Sequence, residues 1–280
     1  MRRITMVAAF ATLAMAASAE AQQTVYSNIP GALGPSYPSL SYQATSTSQF
    51  GNLVHLGGSY RTLNTVSVVL STWAAASDYP DLAAQNAAGY YHNLTLNLYN
   101  VGAGNSVGSS LGTITQSTLI QWRPEGSPVE CGSLSDYGTF HQYYGSDNVC
   151  HGGQAFVATF DFSSYGITLP EDLIVALAFN TQSYGVTPTG VNGPYNSLNF
   201  AIGPSTTTVG SEDADMAYIA TTYPGWVPAR DASFGADPGW ADQHPMMEIS
   251  AVTATPEPAS LVLLATGLVG VGAAVRRRRK

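Results

Sequence analysis

Residues 93–99 read Asn93-Leu94-Thr95-Leu96-Asn97-Leu98-Tyr99, and their strict alternation decides the fold. In an extended chain successive side chains point to opposite sides, so Leu94, Leu96 and Leu98 share one face while Thr95, Asn97 and Tyr99 share the other. A helix would scatter the three leucines around its axis. The segment therefore reads as a half-buried antiparallel strand. The pattern recurs at residues 65–72, where Val66, Val68 and Leu70 oppose Ser67 and Ser71, and at 196–202 through Leu198, Phe200 and Ile202. Residues 156–162 and 173–179 are more continuously apolar, which is expected of strands in the middle of a sandwich core. Further strands are expected at 52–56, 107–115, 118–122, 217–221 and 246–252, with a helical turn at 80–88. About ten strands, with turn-forming glycine and proline between them, specify an all-β fold, a single jelly-roll-like antiparallel β-sandwich. No repeat of fixed period argues for a solenoid or propeller.

Both ends of the chain concern export. Residues 1–21 have the build of a secretory signal peptide: Arg2 and Arg3, an apolar core over 4–17, then the small-residue sites Ala17-Ser18-Ala19 and Ala19-Glu20-Ala21, with cleavage expected after Ala21 and Ala19 as the second site. Residues 22–255 form the exported domain. At the other end come Pro256-Glu257-Pro258, an uncharged apolar run over 259–275, and the cations Arg276, Arg277, Arg278, Arg279 and Lys280. As a helix the run is about 25 Å long at about 1.5 Å per residue, at the short end of a transmembrane helix. The cations would stay on the cytoplasmic side and leave the domain outside. A plain C-terminal anchor is one reading of these pieces.

The three-part order at 256–280 resembles the PEP-CTERM sorting signal of Gram-negative bacteria, a tail that has also carried the label of an ice-binding-protein C-terminal domain. The resemblance implies recognition by an exosortase, transient residence in the inner membrane through the C-terminal helix, cleavage near the tripeptide, and delivery to the cell surface or the exopolysaccharide matrix. It covers the tail alone. The ice-binding label does not extend to the domain, because its threonines, such as those at 206–208, form no regular ladder. The interior resembles uncharacterised secreted bacterial β-sandwich proteins in the order of Leu98-Tyr99-Asn100, residues 120–124, the segment bounded by Cys131 and Cys150, and residues 178–181.

Without its ends the chain holds three arginines, Arg61, Arg123 and Arg230, against sixteen carboxylates, a net charge of −13 where the whole chain carries −8. Nucleic acid is excluded as a partner, since the phosphate contacts that dominate its affinity need lysine and arginine. Neutral sugars, divalent cations and a merely soluble life outside the cell all fit that charge.

Cys131 and Cys150, a lone pair in an exported chain, read as a disulfide. They bound a loop rich in aromatics that Trp122 leads into and that contains Tyr137, Tyr143 and Tyr144. Two turns of similar sequence, Tyr223-Pro224-Gly225-Trp226 and Asp237-Pro238-Gly239-Trp240, present two more large rings. These aromatics are candidates to stack on the apolar face of a sugar, and equally candidates to cap the sandwich. Glu212, Asp213 and Asp215 form the densest acidic patch, which reads as a solvated turn or as part of a structural Ca²⁺ shell to be completed from elsewhere. No Gly-x-Ser-x-Gly elbow and no His-Glu-x-x-His occurs, so no residue is expected to be catalytic and no cofactor is expected. The sequence thus points to a structural or carbohydrate-binding matrix protein, with a secreted glycoside hydrolase as the alternative.

Overall fold

Residues 93–99 lie in the middle of a 13-residue strand whose leucines are fully buried. The computed structural model describes residues 22–132, 142–226 and 231–253. The expected signal peptide at 1–21 and sorting tail at 256–280 lie outside the described residues. The unit of interest runs from Gln22 to Ala254.

In chain order the elements are β1 (Gln23–Ser27), β2 (Ser39–Ser41), β3 (Thr47–His55), β4 (Thr62–Thr72), α1 (Pro80–Gln85), β5 (Gly89–Val101), β6 (Val107–Gln121), α2 (Pro128–Cys131), β7 (Tyr143–Tyr144), β8 (Cys150–His151), β9 (Gln154–Asp161), β10 (Asp172–Phe179), β11 (Leu198–Gly203), β12 (Ser211–Glu212), β13 (Met216–Thr221), β14 (Gly235–Pro238), β15 (His244–Pro245) and β16 (Met247–Val252). They form an antiparallel β-sandwich. In one sheet β4 is central, with β9 on one side and β16 and β11 on the other; β1 pairs β16, and β2 and β15 pair β11. The other sheet runs β14-β13-β3-β10-β5-β6, with β12 added to β3. Successive strands pass repeatedly from sheet to sheet: β3, β5, β10 and β13 belong to one, and β4, β9, β11 and β16 to the other. Among the described residues no helix is long and apolar enough to cross a membrane.

The core is the sum of the inward faces. Val66, Val68 and Leu70 from β4, Leu94, Leu96 and Leu98 from β5, and Leu173, Val175 and Leu177 from β10 pack together with Phe50, Phe160 and Phe200. Burying each such side chain is worth roughly 1.5–3 kcal/mol. β10 is apolar on both faces for a reason visible in its position. It lies between β3 and β5, and its outward Ile174 joins Leu53 and Tyr218 under a cover that includes Tyr99 and Phe234.

One expectation needs correction and one is sharpened. Residues 107–115 and 118–121 belong to a single strand, β6, which continues through Gln116 and Ser117 opposite Leu94 and Asn93, and Trp122 follows its end. The polar pair did not break the strand because β6 is an edge strand, where outward positions are wet. Residues 156–162 were expected as a strand in the middle of the sandwich core; Phe160 and Phe162 do enter that core, but among the described residues β9 pairs with β4 alone and leaves Val157 exposed. Its apolar run reflects the depth of Phe160 and Phe162 in the core rather than neighbours on both sides. The Gln116 amide donates to Thr159 O at 3.1 Å, so the β6 edge of one sheet is tied to the β9 edge of the other.

Candidate functional site

The disulfide Cys131–Cys150 is formed. It joins the end of α2 to β8, and β8 pairs with β7 through Tyr143 opposite His151 and Tyr144 opposite Cys150. Tyr143 is buried, with its hydroxyl 3.1 Å from Pro35 O and 3.3 Å from Gly153 O; burial pushes its phenol pKa up. Tyr144 is exposed. Asp147 accepts from the His151 ring at 2.9 Å, which holds its carboxyl below the usual range. Tyr137 lies outside the described residues. Trp122 faces the core, its Nε1–H donating to Asn86 O at 3.1 Å and its ring beside Tyr79 and Tyr90.

The two Pro-Gly-Trp turns do bring their rings together. Trp226 and Trp240 stack with centroids 5.8 Å apart, and both indole N–H groups donate to Asp237 Oδ2, at 3.0 and 2.8 Å. Trp240 is buried against Phe50, so its ring plugs the end of the core and Trp226 covers it. A shallow cleft of about 240 Å³ remains beside them, lined by Trp226, Asp237, Trp240 and Gln243.

Glu212, Asp213 and Asp215 diverge. The Glu212 side chain is wholly enclosed. Its Oε2 accepts from the Tyr26 hydroxyl, from Asn52 Nδ2 at 2.6 Å and more weakly from Asn28 Nδ2 at 3.4 Å. His244 Nδ1 lies 3.9 Å away, and Oε1 has no hydrogen-bond partner among the described residues. Burial raises the Glu212 pKa, and those donors and His244 oppose the rise; burial also raises that of Tyr26, with Glu212 adding to it. Asp213 instead closes a turn, accepting from Asp215 N at 3.4 Å, and Asp215 is exposed. Among the described residues no group of three or more histidines, cysteines and carboxylates is placed to hold a metal ion.

Sequence reasoning passed over Trp73. It follows the alternating run 65–72 and reads there as the end of a strand. In the fold it lines a groove of about 330 Å³ with Ser39, Ser41, Asn196 and Asn199, and no charged side chain contributes. A further groove of about 320 Å³ lies between Leu82, Tyr90, Tyr91 and Tyr195.

No curated protein and no solved structure matches the chain. The model of the PEP-CTERM protein-sorting motif matches residues 254–279. The chain therefore carries a PEP-CTERM sorting motif at its C-terminus and is an exosortase-targeted secreted protein.

Proposed function

We propose that the exported β-sandwich is a structural or carbohydrate-binding component of an exopolysaccharide matrix, entering the export route through a signal peptide at 1–21 and released from the inner membrane at Pro256-Glu257-Pro258. The observation that carries this reading is the sorting motif at 254–279, which sends a domain with sixteen carboxylates and three arginines to the outside. That charge favours a neutral polymer over an anionic one. The hydrolase alternative calls for two carboxylates roughly 5–10 Å apart across a cleft. Among the described residues, the grooves lined by Trp73, by Ser67 and Glu248, by Tyr195 and by Trp226 hold at most one carboxylate each, which favours binding over cleavage.

The test is a glycan-array screen of the purified protein run beside hydrolysis assays on the host's own polysaccharide. Binding without release of reducing ends is expected. Release of reducing ends that is lost when a groove carboxylate is replaced would put the hydrolase in its place.

A further inference from the structure

We infer that the groove between α1, the start of β5 and Tyr195 anchors a neutral glycan chain, which runs on from Tyr91 along the outward face of β5 and β6. The inference deepens the carbohydrate-binding reading above and rests on it.

The groove is lined by Leu82, Gln85 and Asn86 at α1, by Tyr90 and Tyr91 of β5, and by Tyr195. No charged side chain contributes to the lining. Tyr91 is 65% exposed and Leu82 37%, so apolar surface is displayed together around one concavity rather than scattered singly. Polar groups stand among these rings. Asn86 Oδ1 accepts from Ala88 N at 3.0 Å, which leaves both Nδ2 protons as donors, and Gln85 is exposed.

The Tyr195 wall is fixed before any ligand arrives. Its ring stacks on His92 with centroids 5.2 Å apart and 21° between planes, and its hydroxyl donates to Val191 O and lies 3.1 Å from the Thr189 hydroxyl. A Cβ at Gly193 would come 2.5 Å from Tyr195 Cε1, so the backbone itself lies against the ring. His92 Nε2–H donates in turn to Asn180 O at 2.8 Å. Burial lowers the His92 pKa, so the ring beneath Tyr195 adds no charge at neutral pH. The Tyr90 hydroxyl donates to Pro194 O and Trp122 Nε1–H to Asn86 O, both at 3.1 Å, and these bonds tie the two sides of the groove to the sandwich. Preorganisation of this kind lowers the entropic cost of binding.

Tyr91 also begins a polar row. Residues two apart on a strand share a face, and on the face of Tyr91 come Asn93, Thr95 and Asn97, opposite Ser117, Thr115 and Thr113 of β6. From Tyr91 to Asn97 the row extends about 20 Å at about 3.3 Å per residue. The Thr95 and Thr115 hydroxyls bond at 2.8 Å, and Thr113 donates to Asn97 Oδ1 at 2.9 Å. A hydroxyl has one donor and two lone pairs and an amide two donors, so the row keeps bonding capacity beyond these contacts. An aromatic anchor leading into uncharged amides and hydroxyls fits a linear sugar chain, whose C–H faces are apolar and whose edges are hydroxyls. A wholly apolar partner would leave the row unused. The strong negative charge of the domain would repel a uronate, sulfated or phosphorylated chain.

The experiment is affinity electrophoresis of the full chain, purified in a detergent without a sugar headgroup, through gels containing dextran, galactomannan or hydroxyethylcellulose, with alginate as the anionic comparison. Tyr91→Ala, Tyr91→Phe and Asn97→Ala are run beside the wild type, with Tyr165→Ala removing an exposed ring outside the groove. Hydroxyl-radical footprinting of the wild type with and without the retarding polymer reads Tyr91 directly. Retardation by at least one neutral polymer and not by alginate is expected, with Tyr91 protected from oxidation. Tyr91→Ala should weaken it roughly tenfold, the consequence of losing a stacking anchor, and Tyr91→Phe should weaken it less. Asn97→Ala should weaken it about threefold, as for one lost hydrogen bond, and Tyr165→Ala should leave it unchanged. Retardation with Tyr91 still open to oxidation would overturn the site and leave the carbohydrate reading standing, whether or not the variants fold. Wild-type retardation of Asn97→Ala would overturn the path along β5, and equal retardation by alginate the restriction to neutral chains. Failure of every polymer to retard the wild type would overturn both the site and the reading it rests on.

Discussion

Glu212 keeps its carboxyl in a site closed to solvent, facing Tyr26, Asn28, Asn52 and His244, with one oxygen unbonded among the described residues. Desolvation raises its pKa above the ordinary 4.5, so the folded protein holds a proton that the unfolded chain gives up. Stability from that proton is fully present below about pH 4.5 and is lost as pH rises through the raised value. Glu212→Gln cannot ionise and keeps an acceptor for the same donors. Its melting temperature should match the wild type near pH 4 and exceed it increasingly toward pH 8; parallel curves would mean that Glu212 titrates as it does in the unfolded chain. None of this was legible in Gly210-Ser211-Glu212-Asp213-Ala214-Asp215, where three acids in a row of polar residues look alike. The strand β12 admits only two residues, and which of them turns inward is fixed by Tyr26 and Asn52, far away in sequence. Trp73 was missed for the same reason: Ser39, Ser41 and Asn199, which line the groove with it, come from β2 and β11, far off in the chain. The Trp226 and Trp240 turns were legible as a pair because Pro-Gly-Trp marks each one, while the shared acceptor Asp237 could be named only once the chain was folded.

At the scale of elements, alternation carried most of the fold. Leu96 is fully buried and Asn97 next to it faces outward, where it accepts from Thr113 Oγ1 at 2.9 Å. Leu96→Ala should cost about 2–5 kcal/mol and Asn97→Ala less than about 1 kcal/mol in urea unfolding; similar costs would contradict the assignment of faces. β3 and β10 approach so closely at Gly51 that a Cβ there would sit 2.2 Å from Val175 O. Gly51→Ala should lower stability by about 2 kcal/mol or more, read in the same unfolding curves, and an unchanged midpoint would show that the sheet opens freely there. The disulfide is another element-scale device: its cysteines are 19 residues apart, and closing such a loop is worth about 3 kcal/mol in the chain-entropy model. The double variant Cys131→Ser with Cys150→Ser should lose about that much in the same assay. What the sequence left unread at β6 and β9 was edge position. Apolar content reports burial of individual side chains, whereas the number of strand neighbours depends on partners such as β4 that lie far off in the chain.

For the whole molecule, charge and address fit together. The cations of the sequence are concentrated at its two ends, and the unit between them is strongly acidic, suited to solubility outside the cell and to an uncharged partner. The central claim is that the motif matched at 254–279 sorts this unit. Its most direct test is cell fractionation of an exosortase-bearing host expressing the full chain, beside a variant lacking Pro256, Glu257 and Pro258, with the C-terminal tail followed by mass spectrometry. The account predicts wild-type protein at the surface with the tail removed, and the variant held in the membrane fraction with Arg276 to Lys280 intact. Equal surface delivery of both forms would contradict it and make the tail a plain anchor.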